Sequence, residues 1–417
     1  MEKKGLKSKT ILIYTLVFPP DRVSTAYLYG DIAQKFKSEG FEVTVLTSTP
    51  HYNPPENSPQ LSKKLGGLYR QGSINGIEVF QIPQLKKPSI FFRIGQFLFF
   101  HLVSLFVAIK IKKIGIILSV SPPLTIGLIS NIIAWFKGAK SIYNVQEIYP
   151  DIAVSEGTIT NPVLVNLFSW LERLVYDYTD RIVTIDEAFS EIIMERVNDS
   201  SKVVAIPNFI DFELYHPEKK VNSFSDEYDH LKNSFVVGYV GNIGLFQNWE
   251  IVLNAAEELS NDGILFMIVG EGIKKQWLEK EIEVRKLSNV HLFPYQDREK
   301  IRYVNATADI HIITMTSLSD LNGLPSKVFA IMASKRALIA SCSPKSAISS
   351  IVSKSGCGVT VPVNDHKSFV KEIINLKNDR QKRQSLASNG YEYVVTHYSK
   401  ESVTVNYIDL CLSLINS

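Results

Sequence analysis

Apolar runs of strand length recur along the chain, and most are separated by stretches of helix length with an apolar face. In the first half they predict strands over 11–17, 43–47, 77–82, 116–120, 141–145, 181–185 and 203–206. Helices are predicted between them over 24–38, 162–178 and 187–197. The strands are rich in Val, Ile and Leu with little polar alternation. That pattern suits strands covered on both faces, hence a parallel sheet between helices.

The alternation lapses over 211–234, a polar stretch with a proline and no period, which reads as a linker. It then resumes, with strands predicted over 235–240, 265–269, 290–293, 309–314, 337–340 and 358–361. Helices are expected over 249–259, 274–286, 298–307, 326–334 and 367–376. The fold class is therefore α/β, with two doubly wound, Rossmann-like domains over 1–210 and 235–400. A C-terminal helix over 401–417 is free to pack back on the first domain. Each sheet should offer a ligand crevice at the carboxyl ends of its strands, the two facing across a cleft.

Length agrees, because 417 residues exceed one ordinary core. Three cysteines, Cys342, Cys357 and Cys411, form no CxxC pair, so neither a disulfide framework nor a structural zinc site is expected. The first apolar run is too short for a secretory signal, which leads to a cytoplasmic expectation. Two stretches imitate membrane spans. The run 97–109 falls short of the about 20 residues that spanning needs, and Ser121-Pro122-Pro123 interrupts 114–136.

Net charge is only +3, but its placement is lopsided. Between Leu61 and Lys113 there are nine Lys or Arg residues and one acid, Glu78. Beside the apolar run 97–109, that balance suits the headgroups of an anionic membrane surface. An ordinary solvated basic face, and a core position for 97–109, remain open. No recognised nucleic-acid motif accompanies the patch, so nucleic acid is not expected as a partner.

Three glycine-rich turns follow strands of the second domain. Gly238, Gly241 and Gly244 mark the first, Gly270-Glu271-Gly272 the second, and Asn322-Gly323-Leu324-Pro325-Ser326-Lys327 the third. A turn without side chains lets backbone N–H groups approach a phosphate. Spacing at 238, 241 and 244 is not the GxGxxG of dinucleotide sites, so phosphate cradle and plain tight turn both stand. A cation at Lys327, in the first turn of a helix, opposes the helix dipole, and it makes sense if a diphosphate sits beside it. An ordinary exposed lysine is the competing reading.

In this order the motifs resemble the family 4 retaining glycosyltransferases. The resemblance runs through the glycine turn, Val269-Gly270-Glu271-Gly272, Asn289-Val290-His291-Leu292-Phe293, Ala308-Asp309-Ile310 and Gly323-Leu324-Pro325. The first half resembles the bacterial O-antigen and capsule branch, including N-acetyl-L-fucosamine transferases. It does so at Phe18-Pro19-Pro20-Asp21, Ser121-Pro122-Pro123-Leu124, 145–150, Trp170-Leu171-Glu172 and Ile206-Pro207-Asn208.

This resemblance implies a GT-B fold and a nucleotide-diphospho-sugar donor, with UDP the expected nucleotide. It also implies a lipid-linked saccharide acceptor at the cytoplasmic membrane, retaining transfer, and neither metal nor other cofactor. Gly241, Asn242, Gly244, Gln247, Gly270, Glu271, Gly272, Asn322, Gly323, Leu324, Pro325 and Ser326 would then line the donor. Pro20, Ser24 and Gln146 would lie on the acceptor side.

The chain also departs from that family. Asn242 and Gln247 stand where relatives often carry Arg and Lys, which leaves Lys327 as the cation among the motif residues. Asn322 and Ala330 stand where relatives carry two glutamates, and Gln146-Glu147 where many carry His-Asp. Glu147 is the best-placed carboxylate for the acceptor hydroxyl or the developing charge on the sugar, and a structural acid is its equal alternative. A nucleotide-sugar epimerase of the same fold, or a catalytically silent partner subunit, are the competing functions.

Overall fold

The computed structural model describes residues 9–51, 58–84, 90–155, 157–316, 325 and 327–416. The chain forms two compact units. Unit 1 runs to Asn208 and takes in the chain from Val403 onward, while unit 2 spans Phe209–Ser402.

Unit 1 is built from β1 (Thr10–Tyr14), α1 (Ser24–Ser38), β2 (Glu42–Ser48), β3 (Ser62–Lys64), β4 (Tyr69–Ile74), β5 (Ile77–Ile82) and α2 (Ile90–Lys110). It continues with β6 (Ile116–Val120), α3 (Thr125–Lys137), β7 (Lys140–Val145), α4 (Asp151–Ser155), α5 (Pro162–Tyr178), β8 (Arg181–Thr184), α6 (Glu187–Met194) and β9 (Val203–Ala205). The sheet order is β3-β4-β5-β2-β1-β6-β7-β8-β9. All neighbours are parallel except β3-β4 and β4-β5.

The parallel strands are buried throughout or nearly so, as their unbroken apolar composition requires. The antiparallel pair β3-β4 escaped the pattern because it reads SKK and YRQGSI, with too few apolar positions to announce a strand. The first strand stops at Tyr14 rather than reaching 17. Beyond it the Thr15 hydroxyl bonds the Val17 carbonyl and turns the chain away.

Unit 2 opens with two short helices, α7 (Ser223–Asp226) and α8 (Asp229–Asn233), inside the stretch whose polarity suggested a linker. Asn222 caps α7 in a reciprocal capping box with Ser225. Then follow β10 (Phe235–Val240), α9 (Trp249–Glu258), β11 (Ile264–Val269), α10 (Lys275–Val284), β12 (Val290–Phe293), α11 (Ile301–Thr307) and β13 (Ile310–Thr314). The unit closes with α12 (Lys327–Ala333), β14 (Ala337–Ser341), α13 (Ala347–Ser355), β15 (Gly358–Val361), α14 (His366–Asn378), α15 (Arg380–Tyr398) and the start of α16 (Lys400–Asn416). This sheet is wholly parallel in the order β12-β11-β10-β13-β14-β15.

Each sheet reverses its strand order beside its first strand, between β1 and β6 in unit 1 and between β10 and β13 in unit 2. Loops diverge at such switch points and leave room for a ligand at the carboxyl ends. The three cysteines are buried, and none is in a disulfide. No helix among the described residues is long and apolar enough to cross a membrane.

Candidate active site

At the switch point of unit 2 the first two glycine turns interlock. Gly241 follows β10, and its N–H donates to the Val269 carbonyl at the end of β11 (2.9 Å). Ile243 N–H donates to Glu271 O (2.8 Å), and Lys274 N–H returns to Ile243 O (3.0 Å). The turns lie so close that a Cβ on Gly270 would sit 1.9 Å from the Gly241 carbonyl oxygen. On Gly272 it would meet the Ile243 oxygen at 2.2 Å. These glycines are therefore required by backbone against backbone before any ligand is considered. Gly238 is different: it lies inside β10, where it makes room for Ala308 and His311.

Other residues of the turn are occupied in holding its shape. Gln247 accepts from Gly244 N–H at 2.9 Å and so braces the loop. Trp249 Nε1 donates to Gly244 O. The start of α9 is capped by Asn248, whose side chain accepts from Ile251 N–H. Glu271 points outward into an ion pair with Lys275 (2.6 Å). Asn242 offers its carbonyl to the Tyr239 hydroxyl (2.6 Å).

Lys327 reaches into this same place from α12. Its Nζ donates to Tyr239 Oη at 2.7 Å and sits 4.1 Å from the centre of the Tyr239 ring. A Cβ on Gly241 would be 3.4 Å from that nitrogen. No described carboxylate pairs with Lys327, and burial pushes its pKa from 10.5 down to about 8. A half-buried cation on a phenol ring and beside a glycine turn is electrostatically incomplete among the described residues. An anion would complete it. Pro325 is half-buried before α12, and Asn322, Gly323, Leu324 and Ser326 lie outside the described residues.

On unit 1 the residues expected on the acceptor side follow the carboxyl ends of β1 and β7. Pro20 is half-buried in the loop after β1, and Ser24 is exposed as the first residue of α1. Gln146 follows β7 and is engaged on every side. Its amide nitrogen donates to Asn144 Oδ1 (2.6 Å) and Asn208 Oδ1 (3.2 Å), while its oxygen accepts from Asn208 Nδ2 (2.8 Å). Asn144 in turn donates to Tyr407 Oη (2.6 Å), on the part of α16 that belongs to unit 1. Gln146 therefore works first as a tie between β7, Asn208 and the C-terminal helix. Glu147, its neighbour, is half-buried in the same loop.

Three residues were missed by sequence reasoning. Tyr239 carries no chemical signal of its own between Gly238 and Gly241, and only the fold sets it under Lys327. Tyr407 lies 263 residues from its partner Asn144, beyond any local signal. Asp21 is buried and accepts the His51 backbone N–H at 2.8 Å, joining the loops after β1 and β2. Its presence within Phe18-Pro19-Pro20-Asp21 was the available clue.

Residues 221–393, nearly all of unit 2, match the family Glycosyl transferases group 1. WcaI of Escherichia coli K12, named as a colanic acid biosynthesis glycosyl transferase, is 25% identical over 332 residues, covering 78% of this chain and 81% of its own. WbjE of Pseudomonas aeruginosa, named as a glycosyltransferase, is 23% identical over 353 residues, covering 84% and 85%. Among solved structures, Anabaena Alr3699/HepE in complex with UDP aligns with a TM-score of 0.72 at 13% identity, covering 97% of this chain and all of that one. WaaG, a glycosyltransferase involved in lipopolysaccharide biosynthesis, aligns at 0.67 and 12% identity, covering 96% and 99%. The fold is GT-B, with two Rossmann-like domains.

Proposed function

We propose that this chain is a group 1 glycosyltransferase and that it moves a sugar from a UDP-sugar to a lipid-linked saccharide acceptor in the synthesis of a bacterial surface polysaccharide, O-antigen or capsule. The observation that carries the reading is Lys327, a cation without a described carboxylate partner, held against the Gly241 turn at the switch point of unit 2. The HepE structures with UDP and with UDP-glucose support UDP as the nucleotide. The name of WcaI, a colanic acid biosynthesis glycosyl transferase, supports the surface-polysaccharide setting.

In this reading Lys327 and the backbone of both glycine turns stabilise the departing diphosphate, the position where charge develops during transfer. Asn242, Gly244, Gln247 and 322–326 complete the donor side. The departing phosphate takes the acceptor's proton on the face of the sugar it leaves, so transfer retains configuration. Glu147 lies on the acceptor side with Pro20, Ser24 and Gln146, where its carboxylate meets the acceptor hydroxyl or the charge growing on the ring. The direct test is a thermal-shift screen of nucleoside diphosphates, followed by transfer assays on lipid-linked acceptors. A stabilisation by UDP above that by other nucleotides is expected, and indifference to every nucleotide removes the reading.

Because protein groups meet the diphosphate, activity should persist after EDTA and dialysis, with magnesium changing the rate modestly through product release. Complete loss with chelator and recovery with manganese would show that a metal does the work assigned to Lys327.

A silent partner subunit is the second reading, favoured by Ala330, which carries no acid and packs against the core around Val328 and Met332. Donor hydrolysis or transfer by the purified chain decides against it. UDP binding with no turnover of any donor decides for it.

The same proposal sets the protein on the cytoplasmic membrane surface, where lipid-linked acceptors reside. The run 97–109 lies within α2, with Phe100, Val103 and Val107 buried and Leu98, Leu102, Phe106 and Ile109 exposed. Core packing and an exposed apolar stripe thus share one helix, and Lys110, Lys112 and Lys113 follow it. Replacing these three lysines by Gln should weaken binding to anionic vesicles about tenfold near physiological salt. Unchanged partitioning would remove them from the surface.

A further inference from the structure

Among the described residues, twenty-two large apolar side chains stand exposed, and eleven of them belong to three helices of unit 1: α2, α3 and α5. These helices form one layer. Each leads into the next strand of the run β6-β7-β8, and right-handed crossovers in one direction keep them on one face of the sheet. α3 packs against α2 on one side and α5 on the other.

The exposure has a pattern. On α5, Val163, Leu167 and Trp170 recur at helical spacing on the outer side, while Val175 and Tyr176 are buried in the core. α3 ends in Trp135 and Phe136, 78% and 59% exposed, the two rings packed edge to face. A solvated helix would carry polar residues at such positions, and core packing cannot explain them because each helix has a separate buried side.

Charge narrows the occupant. Neither α2 nor α3 contains an acidic residue. On α5, Glu172 is turned inward to Arg196 and Tyr176, and the exposed Asp177 is held by Asn198. Lys110, Lys112, Lys113 and Arg173 stand at the borders. An apolar face with exposed tryptophans and a cationic rim matches the interface of an anionic bilayer.

We propose that α3 and α5 form a second lipid-inserting ridge beside α2, so that unit 1 lies with this helical layer flat on the bilayer and with Trp135 and Trp170 at the headgroup–acyl boundary. The inference rests on the membrane reading above and extends it to residues far from the basic run that suggested it. Insertion through α3 and α5 supplies a term that salt does not screen.

Intrinsic fluorescence tests it. The chain has four tryptophans. Trp249 is buried, and Trp277→Phe removes the other one outside the ridge. With vesicles of equal parts phosphatidylcholine and phosphatidylglycerol, the full-length Trp277→Phe protein should show a blue shift and strong quenching by doxyl lipids. The double variant Trp135→Ser, Trp170→Ser should partition about tenfold more weakly at high salt, with an unchanged melting temperature. Protein that binds while its fluorescence stays unquenched overturns the ridge and leaves the membrane reading standing. Protein that does not bind vesicles overturns both. A dimer in lipid-free buffer that the double variant dissociates assigns the face to a second copy and also overturns the ridge.

Discussion

Lys327→Ala is expected to lower kcat by about 100- to 1000-fold and to weaken UDP binding with the fold intact, the cost of removing one preorganised charge contact to a developing anion. The substitution removes a cation that no described carboxylate balances, so no ion pair is lost among the described residues. Its pH dependence gives a sharper check. Burial holds Lys327 near 8 when it would be 10.5 in the open chain. Between those values the unfolded chain binds more protons than the folded one, so stability of the ligand-free protein should rise with pH across that window. UDP affinity needs the ammonium form and should fall across the same window. Opposite slopes in one interval, both abolished by Lys327→Ala, are difficult to produce any other way. Wild-type turnover in the variant removes Lys327 from the diphosphate.

Gly270→Ala should be the most damaging single methyl group in unit 2. Gly270 has φ of +154°, and its added Cβ would lie 1.9 Å from the Gly241 carbonyl oxygen. Overpacking and backbone strain together cost about 2–6 kcal/mol. For a unit of this size that lowers the midpoint by roughly 5–20 °C. Gly263→Ala is the control, because Gly263 also has positive φ, +62°, yet nothing stands within 4 Å of an added Cβ. It should cost only about 1–2 kcal/mol. Equal melting temperatures for the two variants would mean that the turns can separate. UDP binding should fail in Gly270→Ala even at temperatures where unit 2 stays folded, since separating the turns moves the Gly241 loop away from Lys327.

Much of the fold was legible because its signals are local. Buried parallel strands need unbroken apolar runs, and the strands 77–82, 116–120, 235–240, 290–293 and 358–361 were read with their observed limits. Helix limits were legible where capping was: Asn161 bonds Val163 N–H ahead of α5, and 162–178 was read without error. The signal failed where chemistry rather than burial sets the limits. The hairpin β3-β4 is held by backbone pairing at a sheet edge with polar side chains, and the capped helices α7 and α8 sit in a stretch too short and polar to show a period.

The sequence by itself determined which residues are candidates for a diphosphate site: glycines after buried strands and a lysine at the start of a helix. Those are properties of single positions and their neighbours. Tertiary structure decided what each of them does. It made Gly270 and Gly272 necessary to the crossing of two turns, turned Gln247 into a brace and Glu271 outward, and tied Gln146 to Asn208. It also divided α2 between core and surface, and set Tyr239 beneath Lys327, 88 residues away in the chain. The physical reason is the same throughout. Burial and backbone propensity act over a few residues and leave a trace in the local pattern. Close backbone approach, the environment of a buried charge and the exposure of a helix face depend on partners brought together only when the sheet assembles.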